Sequence, residues 1–355
     1  MKEFFQKGTK ALQKIYKKLP ARLLPWFSEN ARDLPWRKDK NPYRVWLSEI
    51  MLQQTRVEAV RGYFLRFLEA FPTVSALAKA EPDAVLKKWE GLGYYSRAKN
   101  LHRAAKEIME NYGGRFPETH AEILSLPGVG AYTAGAISSI CYELPTPAVD
   151  GNVLRVAARI TDSHTPVDLP EVKKTVTENL ARIYPKGNCG NFTQSLMELG
   201  AMVCTPKSPH CTACPLSDIC LAAKRGTASI LPKKSPKKER RKEEKTVFFF
   251  EKDGRIAVKK RGESGLLAGL WEFPNVSGRL SADEAVKKAA DFGVFPEAPT
   301  KSKDRIHIFT HVEWHMTCYY IPCRQMPDLF VWASRDALAG QIALPTAFKM
   351  FLDEE

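Results

Sequence analysis

One turn constrains this chain strongly, and it reads Leu126-Pro127-Gly128-Val129-Gly130-Ala131-Tyr132-Thr133. A proline and two glycines this close together predict a tight turn, because glycine enters the φ > 0 region freely. A helical pattern precedes the turn, and a run of small residues over 131–141 predicts a second helix after it. Such a turn leaves bare backbone N–H groups at the start of the second helix. The sequence therefore predicts a backbone site for an anion.

The positive charge of the chain is unevenly distributed. The net charge is +14, and residues 1–225 carry 32 Lys and Arg against 22 Asp and Glu. Residues 233–245 carry 8 against 3, whereas residues 246–355 carry 14 against 15. A positive surface favours a polyanionic partner. We therefore expect the first region and the basic segment to contact nucleic-acid phosphates, although residues 233–245 also suit a solvated tether.

Length and hydrophobic patterning predict two folded domains in 355 residues. Apolar residues at helical spacing, punctuated by prolines, predict an all-α domain over 1–223. A basic linker follows over 224–245. Strand-like runs around Lys252-Asp253-Gly254 predict a hairpin, and a helix is predicted over 283–291, which gives a small α+β domain over 246–355.

The N-terminus and the apolar runs bear on membranes. Residues 1–20 contain six lysines but no continuous apolar core, so they predict a basic amphipathic helix and no signal peptide. No apolar run approaches the roughly 20 residues that a membrane span needs. We therefore expect no membrane partner, with residues 1–20 packed on the first domain and their binding to a membrane surface as the alternative.

Four of the eight cysteines form a C-x6-C-x2-C-x5-C pattern, and these are Cys204, Cys211, Cys214 and Cys220. Without a secretion signal, this pattern favours a metal site over disulfides. Four thiolates at such spacing can hold zinc or an iron–sulfur cluster. Zinc sites with four cysteines usually show two C-x2-C pairs, and only one is present. A 4Fe-4S cluster is therefore favoured, with zinc as the alternative.

The glycine turn and the cysteine pattern resemble the helix-hairpin-helix base-excision DNA glycosylases of the endonuclease III superfamily. In the lyase branch of that superfamily a lysine stands where this chain has Tyr132. That lysine forms a Schiff base with the sugar. The resemblance therefore implies an all-α helix-hairpin-helix glycosylase with a 4Fe-4S loop, which uses water and leaves the DNA strand intact.

Two carboxylates suit glycosidic-bond cleavage, which needs an acid and a group that stabilises a cationic sugar. Glu49 lies in the apolar helical run 45–52, where burial would raise its pKa. Asp150 begins Asp150-Gly151-Asn152-Val153, where a helix N-terminus would lower its pKa. An exposed glutamate and an ordinary N-cap are the alternatives for these two positions.

Residues 47–55, 91–97 and 148–152, with the turn and the cysteine loop, are similar in order to the MutY family of adenine DNA glycosylases. The resemblance implies removal of adenine mispaired with 8-oxoguanine or guanine in double-stranded DNA, by a monomer in the bacterial cytoplasm. It implies that Glu49 protonates adenine at N7 and later activates water, and that Asp150 stabilises the sugar cation or its covalent adduct. Tyr132 and Asn152 would support these two carboxylates.

The resemblance also implies a set of DNA contacts in the first domain. Trp36 and Arg37 would line the adenine pocket, and Gln194 would read the adenine edge. A wedge of Gln54, Leu92 and Tyr94 would fill the gap left by the flipped base or probe the opposite strand, with a core position as the alternative for Leu92. The full set expected to contact DNA is Trp36, Arg37, Gln54, Thr55, Leu92, Tyr94, Gly128, Gly130 and Gln194.

The second domain resembles the Nudix fold, but its helix lacks the glutamate cluster that binds magnesium in catalytic members. Pyrophosphate hydrolysis is therefore not expected. Phe309-Thr310-His311 matches the family's Phe-Ser-His loop, with threonine in place of serine. The resemblance implies that this loop recognises 8-oxoguanine.

Three other functions compete with this interpretation. A zinc-dependent DNA-binding regulator would use the cysteines and the positive charge without the two carboxylates. A nucleotide pyrophosphohydrolase would need the missing glutamates. A glycosylase for thymine opposite guanine also carries tyrosine at position 132, and the appended second domain favours adenine over thymine.

Overall fold

The computed structural model describes residues 12–236 and 239–352. Within these, residues 12–78 and 103–236 form one compact unit, the helical unit. Residues 79–102 and 239–352 form the other, the sheet unit. Residues 79–102, which lie in the predicted first domain, belong to this sheet unit.

The first two thirds of the chain are helical, in agreement with the predicted fold class. Prolines occupy the first turn of several helices, where the missing N–H costs nothing. The helices are α1 Leu19–Asn30, α2 Pro42–Leu52, α3 Val57–Ala70, α4 Val74–Lys79, α5 Pro82–Trp89, α6 Ser96–Tyr112, α7 His120–Ser125, α8 Ala131–Tyr142, α9 Gly151–Ile160, α10 Pro170–Ala181, α11 Cys189–Met202 and α12 Leu221–Arg225.

The predicted glycine turn after Leu126 joins α7 to α8. A capping box between Thr119 and Glu122 begins α7. Gly128 has φ 76, as the turn requires, whereas Gly130 is the N-cap of α8 with an ordinary φ of −94. No side chain caps α8. The backbone amides at its start are therefore free of a capping side chain, as the anion-site prediction needs.

Close approach of α11 to α9 positions residues that matter below. A Cβ at Gly200 of α11 would lie 2.6 Å from the Cβ of Asn152. Real Cβ atoms essentially never come this close, so only glycine allows the two helices to meet here. The contact fixes the first turn of α9 against the neighbouring helix.

The sheet unit is built around a mixed seven-stranded sheet. The order is β3-β2-β1-β6-β5, with β4 on β1 and β7 on β2, and among the described strands only the β1–β6 pair is parallel. Its elements are β1 Arg241–Lys252, β2 Arg255–Lys260, β3 Trp271–Glu272, β4 Asn275–Ser277, α13 Ala282–Ala290, β5 Lys301–Ile308, β6 Val312–Pro322, β7 Val331–Ser334, α14 Arg335–Gly340 and α15 Thr346–Lys349.

The predicted hairpin around Lys252-Asp253-Gly254 is confirmed, because Lys252 pairs with Arg255 across a turn with positive φ at Asp253 and Gly254. Strand β1 begins at Arg241, inside the segment predicted as linker. Both faces of the sheet are covered. Val247 and Phe249 belong to one apolar cluster, while Phe248 and Phe250 belong to the other. Burial on both faces explains why this strand lacks apolar–polar alternation.

The predicted N-terminal amphipathic helix lies partly outside the described residues, since residues 1–11 are not described. Residues 12–17 are helical, and Tyr16 is buried in the core. Over the part of the chain that the structure describes, no helix has the length and apolar character to cross a membrane.

Candidate active site and cysteine loop

A cavity of about 590 Å³ lies in the helical unit. Its walls bring together residues from five helices and from the short 3-10 helix Pro35–Arg37. Eight residues that the sequence predicted as functional line it: Trp36, Arg37, Glu49, Thr55, Tyr132, Asp150, Asn152 and Gln194.

Glu49 is the buried acid of this cavity. It lies on α2 with 5% of its surface exposed, and its Oε2 atom has no hydrogen-bond partner among the described residues. Burial raises its pKa to about 7, and repulsion from Asp150 adds to that effect. A hydrogen bond with Tyr132 and attraction to Arg37 act in the opposite direction. Glu49 is therefore close to half protonated at neutral pH.

Asp150 is the N-cap of α9. Its Oδ1 accepts a hydrogen bond from the Val153 amide at 2.7 Å, and its Oδ2 accepts one from Asn152 Nδ2 at 2.9 Å. The expectation that the helix N-terminus would lower its pKa is wrong. Burial raises the pKa of Asp150, and it outweighs these hydrogen bonds and the attraction to Arg155.

Tyr132 stands in the first turn of α8, beside Glu49. Burial raises its pKa well above the usual value, and the nearby Glu49 and Asp150 raise it further. The phenol therefore stays protonated and can donate a hydrogen bond. Its hydroxyl also lies 3.9 Å from the sulfur of Met197.

The cavity wall also contains a buried ion-pair group that was not predicted from the sequence. Glu198 on α11 is fully buried and accepts hydrogen bonds from Arg32 Nε at 2.8 Å and Arg37 Nη2 at 2.8 Å. Burial alone would raise its pKa, but the two guanidinium groups outweigh burial and bring it to about 2. A lone carboxylate in the apolar run 196–199 was a usable signal, of the same kind that identified Glu49.

Arg155, also missed, links the cavity to the cysteine loop. Its Nη2 donates to Asn152 Oδ1 at 2.8 Å, and its Nε donates to the carbonyl of Cys204 at 2.8 Å. Asn152 in turn donates to Asp150. A continuous chain of hydrogen bonds therefore runs from the predicted sugar-stabilising carboxylate to the first cysteine of the loop.

The four predicted cysteine ligands line a second, mostly apolar cavity in the helical unit, and they share it with Arg159. Arg159 is buried and donates to Cys204 Sγ at 3.2 Å and to the Thr205 carbonyl at 2.7 Å. Over residues 12–236 and 239–352, no three His, Cys, Asp or Glu side chains converge on the position of a single ion. Four thiols spread around one apolar cavity fit a 4Fe-4S cluster, which takes four cysteines.

The predicted wedge residues lie outside the cavity. Gln54 follows α2 in the helical unit with φ 60, and it is exposed. Tyr94, in the sheet unit, has φ 48 and is 46% exposed. Leu92 is buried, which corresponds to the core alternative. Positive φ in a bulky residue is an uncommon conformation, so the two exposed side chains are held in unusual positions.

In the sheet unit, two predicted DNA contacts from distant parts of the chain come together. The hydroxyls of Tyr94 and Thr310 are 3.3 Å apart. Phe309 packs edge-on against Trp314 with ring centroids 4.8 Å apart. Thr310 and His311 are exposed. The sequence predicted these residues individually, but not their contact.

Three protein families match the chain. The HhH-GPD superfamily of base excision DNA repair proteins matches residues 47–184, the iron-sulfur binding domain of endonuclease III matches residues 204–220, and the NUDIX domain matches residues 246–354. A thermostable thymine-DNA glycosylase superposes with a TM-score of 0.54 and 27% identity, over 61% of this chain and 99% of that one. Endonuclease III in a non-covalent DNA complex superposes with a TM-score of 0.52 and 24% identity, over 61% and 97%. The class is therefore that of the helix-hairpin-helix base-excision DNA glycosylases.

Curated relatives narrow this class. An adenine DNA glycosylase of Buchnera aphidicola subsp. Schizaphis graminum (strain Sg) is 35% identical over 84% of this chain and 85% of its own length. An adenine DNA glycosylase of Homo sapiens is 36% identical over 94% and 74%. The chain belongs to the adenine DNA glycosylase family. It is a base-excision repair enzyme that acts on adenine in DNA and carries a 4Fe-4S cluster in its cysteine loop.

Proposed function

We propose that this enzyme is a monofunctional glycosylase, which hydrolyses adenine mispaired with 8-oxoguanine or guanine in double-stranded DNA and leaves an abasic site. We further propose that it acts as a monomer in the bacterial cytoplasm. The observation that carries the chemical part is a pair of carboxylates with raised pKa values in one cavity, the buried Glu49 and the partly buried Asp150.

The two carboxylates take different roles because their hydrogen bonds differ. Asp150 accepts from the Val153 amide and from Asn152, which favours its ionised form. The Oε2 atom of Glu49 has no such donor among the described residues. Since both pKa values are raised and the charges repel, the favoured state holds one proton on Glu49 and one charge on Asp150. Hydrogen bonding, and not a pKa of Asp150 lowered by the helix N-terminus, therefore decides which carboxylate holds the proton.

The reaction then proceeds in two steps. Glu49 donates its proton to N7 of adenine, the C1′–N9 bond breaks, and its electron pair leaves with the base. The sugar becomes an oxocarbenium ion, which the carboxylate of Asp150 stabilises. Glu49, now ionised, takes a proton from water as the oxygen attacks C1′. Trp36, Arg37 and Gln194 line the cavity and would hold the base.

The strand stays intact because position 132 lacks an amine. The Tyr132 phenol remains protonated and hydrogen-bonds with Glu49, so it is a positioning residue. DNA would be held by the start of α8 at Gly128 and Gly130 and by the positive charge of residues 1–225. The cluster, held by Cys204, Cys211, Cys214 and Cys220, would contribute folding energy and a rigid loop.

The lesion would be read in the sheet unit. Thr310 is exposed, and its hydroxyl lies beside that of Tyr94. Both groups can hydrogen-bond to a base edge. Threonine keeps the hydroxyl of the serine found in the family's loop. The contact between Tyr94 and Thr310 supports a shared surface for the base opposite adenine, with Phe309 and His311 at its sides.

A second candidate is removal of thymine opposite guanine. It is supported by the 27% identity to a thymine-DNA glycosylase over 61% of this chain. The matched NUDIX domain favours adenine.

One set of single-turnover reactions tests the proposal. Duplexes carrying A opposite 8-oxoguanine, A opposite G, A opposite T, and T opposite G are incubated and then analysed with and without alkali. We expect adenine release from the first two, no strand break before alkali, and little borohydride-trapped complex. A Tyr132→Lys variant should gain trapping. Faster thymine release, or strand breaks without alkali, would overturn the proposal.

A further inference from the structure

An ion pair on α5 anchors a C-terminal segment of the sheet unit. Lys87 Nζ donates to Glu90 Oε2 at 2.8 Å, to the Leu338 carbonyl at 3.1 Å and to the Ile342 carbonyl at 3.0 Å. Glu90 Oε1 accepts from the Leu344 amide at 3.0 Å. The side chains of Lys87 and Glu90 are only 14% and 12% exposed. This pair therefore holds residues 338–344 through their backbone, at both ends of the segment.

The anchored segment supports the lesion-reading loop. Leu338 and Leu344 belong to the apolar cluster on one face of the sheet, and Trp314 lies in the same cluster. Phe309 packs against that cluster and stacks edge-on with Trp314. A shift of residues 338–344 would therefore be transmitted to Phe309, which precedes Thr310 directly.

The other side of the reading surface begins at the same ion pair. Glu90 starts the loop that ends at Tyr94, and this loop is tightly held. Trp89 Nε1 and Arg97 Nη2 both donate to the Gly93 carbonyl at 3.1 Å. The Arg97 guanidinium lies over the Tyr94 ring, 5.4 Å from its centroid. Glu90 is joined directly to Trp89 and opens this short loop, so a displacement of Glu90 would reach Tyr94 along the backbone.

We propose that Lys87 and Glu90 are specificity-determining residues. Their ion pair positions Tyr94 and Thr310 together, and through this contact it sets the preference for adenine opposite 8-oxoguanine over adenine opposite guanine. The inference rests on the proposed function, because it names the groups that control the proposed lesion reading. Neither residue touches DNA or the adenine cavity in this scheme, and each acts through the two hydroxyls.

The test compares Lys87→Met, Glu90→Gln and the double variant with the wild type. Lys88→Met is the matched control, since Lys88 is the exposed neighbour on the same helix. Single-turnover rate constants are measured on duplexes with A opposite 8-oxoguanine and A opposite G. We expect the ratio of the two constants to fall roughly tenfold in each single variant, within the range of networks of packed residues. The double variant should fall no further, and Lys88→Met should match the wild type.

Two further variants separate positioning from general destabilisation. In a Thr310→Ala background, Lys87→Met should lower the ratio by less than twofold, because its route through Thr310 is already lost. Lys87→Arg should retain most of the wild-type ratio of rate constants, since arginine keeps the positive charge. The thermal midpoint and the visible absorbance of each variant are recorded alongside.

The outcomes are distinguishable. An unchanged ratio in both single variants, or an equal loss of rate on both duplexes, overturns the inference alone. A wild-type enzyme that removes adenine equally well opposite 8-oxoguanine and guanine overturns the lesion-reading part of the proposed function together with this inference.

Discussion

The cavity around Glu49 and the surface that carries Tyr94 and Thr310 hold their polar groups in different ways. In the cavity, Glu49 and Glu198 are buried; burial raises the pKa of Glu49 to about 7, whereas Arg32 and Arg37 outweigh burial and bring the pKa of Glu198 to about 2. On the surface, two exposed hydroxyls share one hydrogen bond of 3.3 Å. Burial gives each charge a large effect, whereas an exposed hydroxyl competes with water. A change of a single atom in the cavity should therefore strongly alter the rate of adenine release. A change on the surface should alter the preference for the base opposite adenine by a small factor.

The largest expected effect is the loss of the acid. Glu49→Gln should lower the rate of adenine release by about 10²–10⁴-fold, because an amide cannot donate the proton. Binding to the mispaired duplex should persist, as measured by a gel-shift titration. Glu58→Gln is the control, since Glu58 also lines the cavity but its side chain is largely exposed. A Glu49→Gln variant that keeps more than a tenth of the wild-type rate would contradict the acid role.

The next effect concerns stability. Glu198→Ala would leave Arg32 and Arg37 without their buried partner, so it should lower the free energy of unfolding by about 3–5 kcal/mol. Glu297→Ala breaks an exposed pair with Arg324 and should cost at most about 1 kcal/mol. Urea unfolding of both variants measures the difference. Equal losses in the two variants would show that the buried pairs of Glu198 stabilise the fold no more than the exposed pair of Glu297 with Arg324.

A third effect is on pH dependence. Since the pKa of Glu49 is about 7, kcat/KM should fall about tenfold per pH unit above pH 7. The folded chain also binds this proton more tightly than the unfolded chain, where the pKa is the usual 4.5. The free energy of unfolding should therefore fall as pH rises from 4.5 to 7, by about 3 kcal/mol at ~1.4 kcal/mol per pKa unit. Urea unfolding at several pH values checks this, and Glu49→Gln should remove that part of the slope. A slope identical in both proteins would refute the assignment.

The smallest effect belongs to the surface. Thr310→Ala should lower the preference for 8-oxoguanine over guanine by about 2–10-fold, because one hydroxyl contributes ~0.5–1.5 kcal/mol. Thr310→Ser keeps the hydroxyl and should retain the preference. The rate on A opposite G should stay near the wild-type value in both. A hundredfold loss of preference in Thr310→Ala would mean that this surface behaves like the buried cavity.

The sequence predicted features that depend on local pattern. The glycine turn, the apolar helix around Glu49, the cysteine spacing and the hairpin after β1 all follow from neighbouring residues. The cavity residues could be predicted as one site because the motifs that contain them belong to one fold. Features set by distant packing were missed: the parallel β1–β6 pair, the partners of Glu198, and the link from Arg155 to Cys204.

The pKa of Asp150 is the instructive error. Its N-cap geometry was foreseen as an alternative, and helix N-termini do favour carboxylates. Only the packing of the completed cavity shows that burial outweighs this effect. A sequence gives the local donors of a carboxylate, but not how much water the rest of the chain removes from it.

The hydrogen bonds of Lys87 to the C-terminal segment can form only late in synthesis of the chain. Its backbone partners at Leu338 and Ile342 lie 251 and 255 residues further along the chain. At ~5–20 residues per second, they leave the ribosome roughly 10–50 s after α5 does. The helical residues up to 236 are synthesised before then, so during that interval Lys87 lacks its two carbonyl partners. A fragment that ends at Arg225 would lack the Leu338 and Ile342 carbonyls permanently. It therefore corresponds to an incomplete chain and not to an isolated catalytic unit.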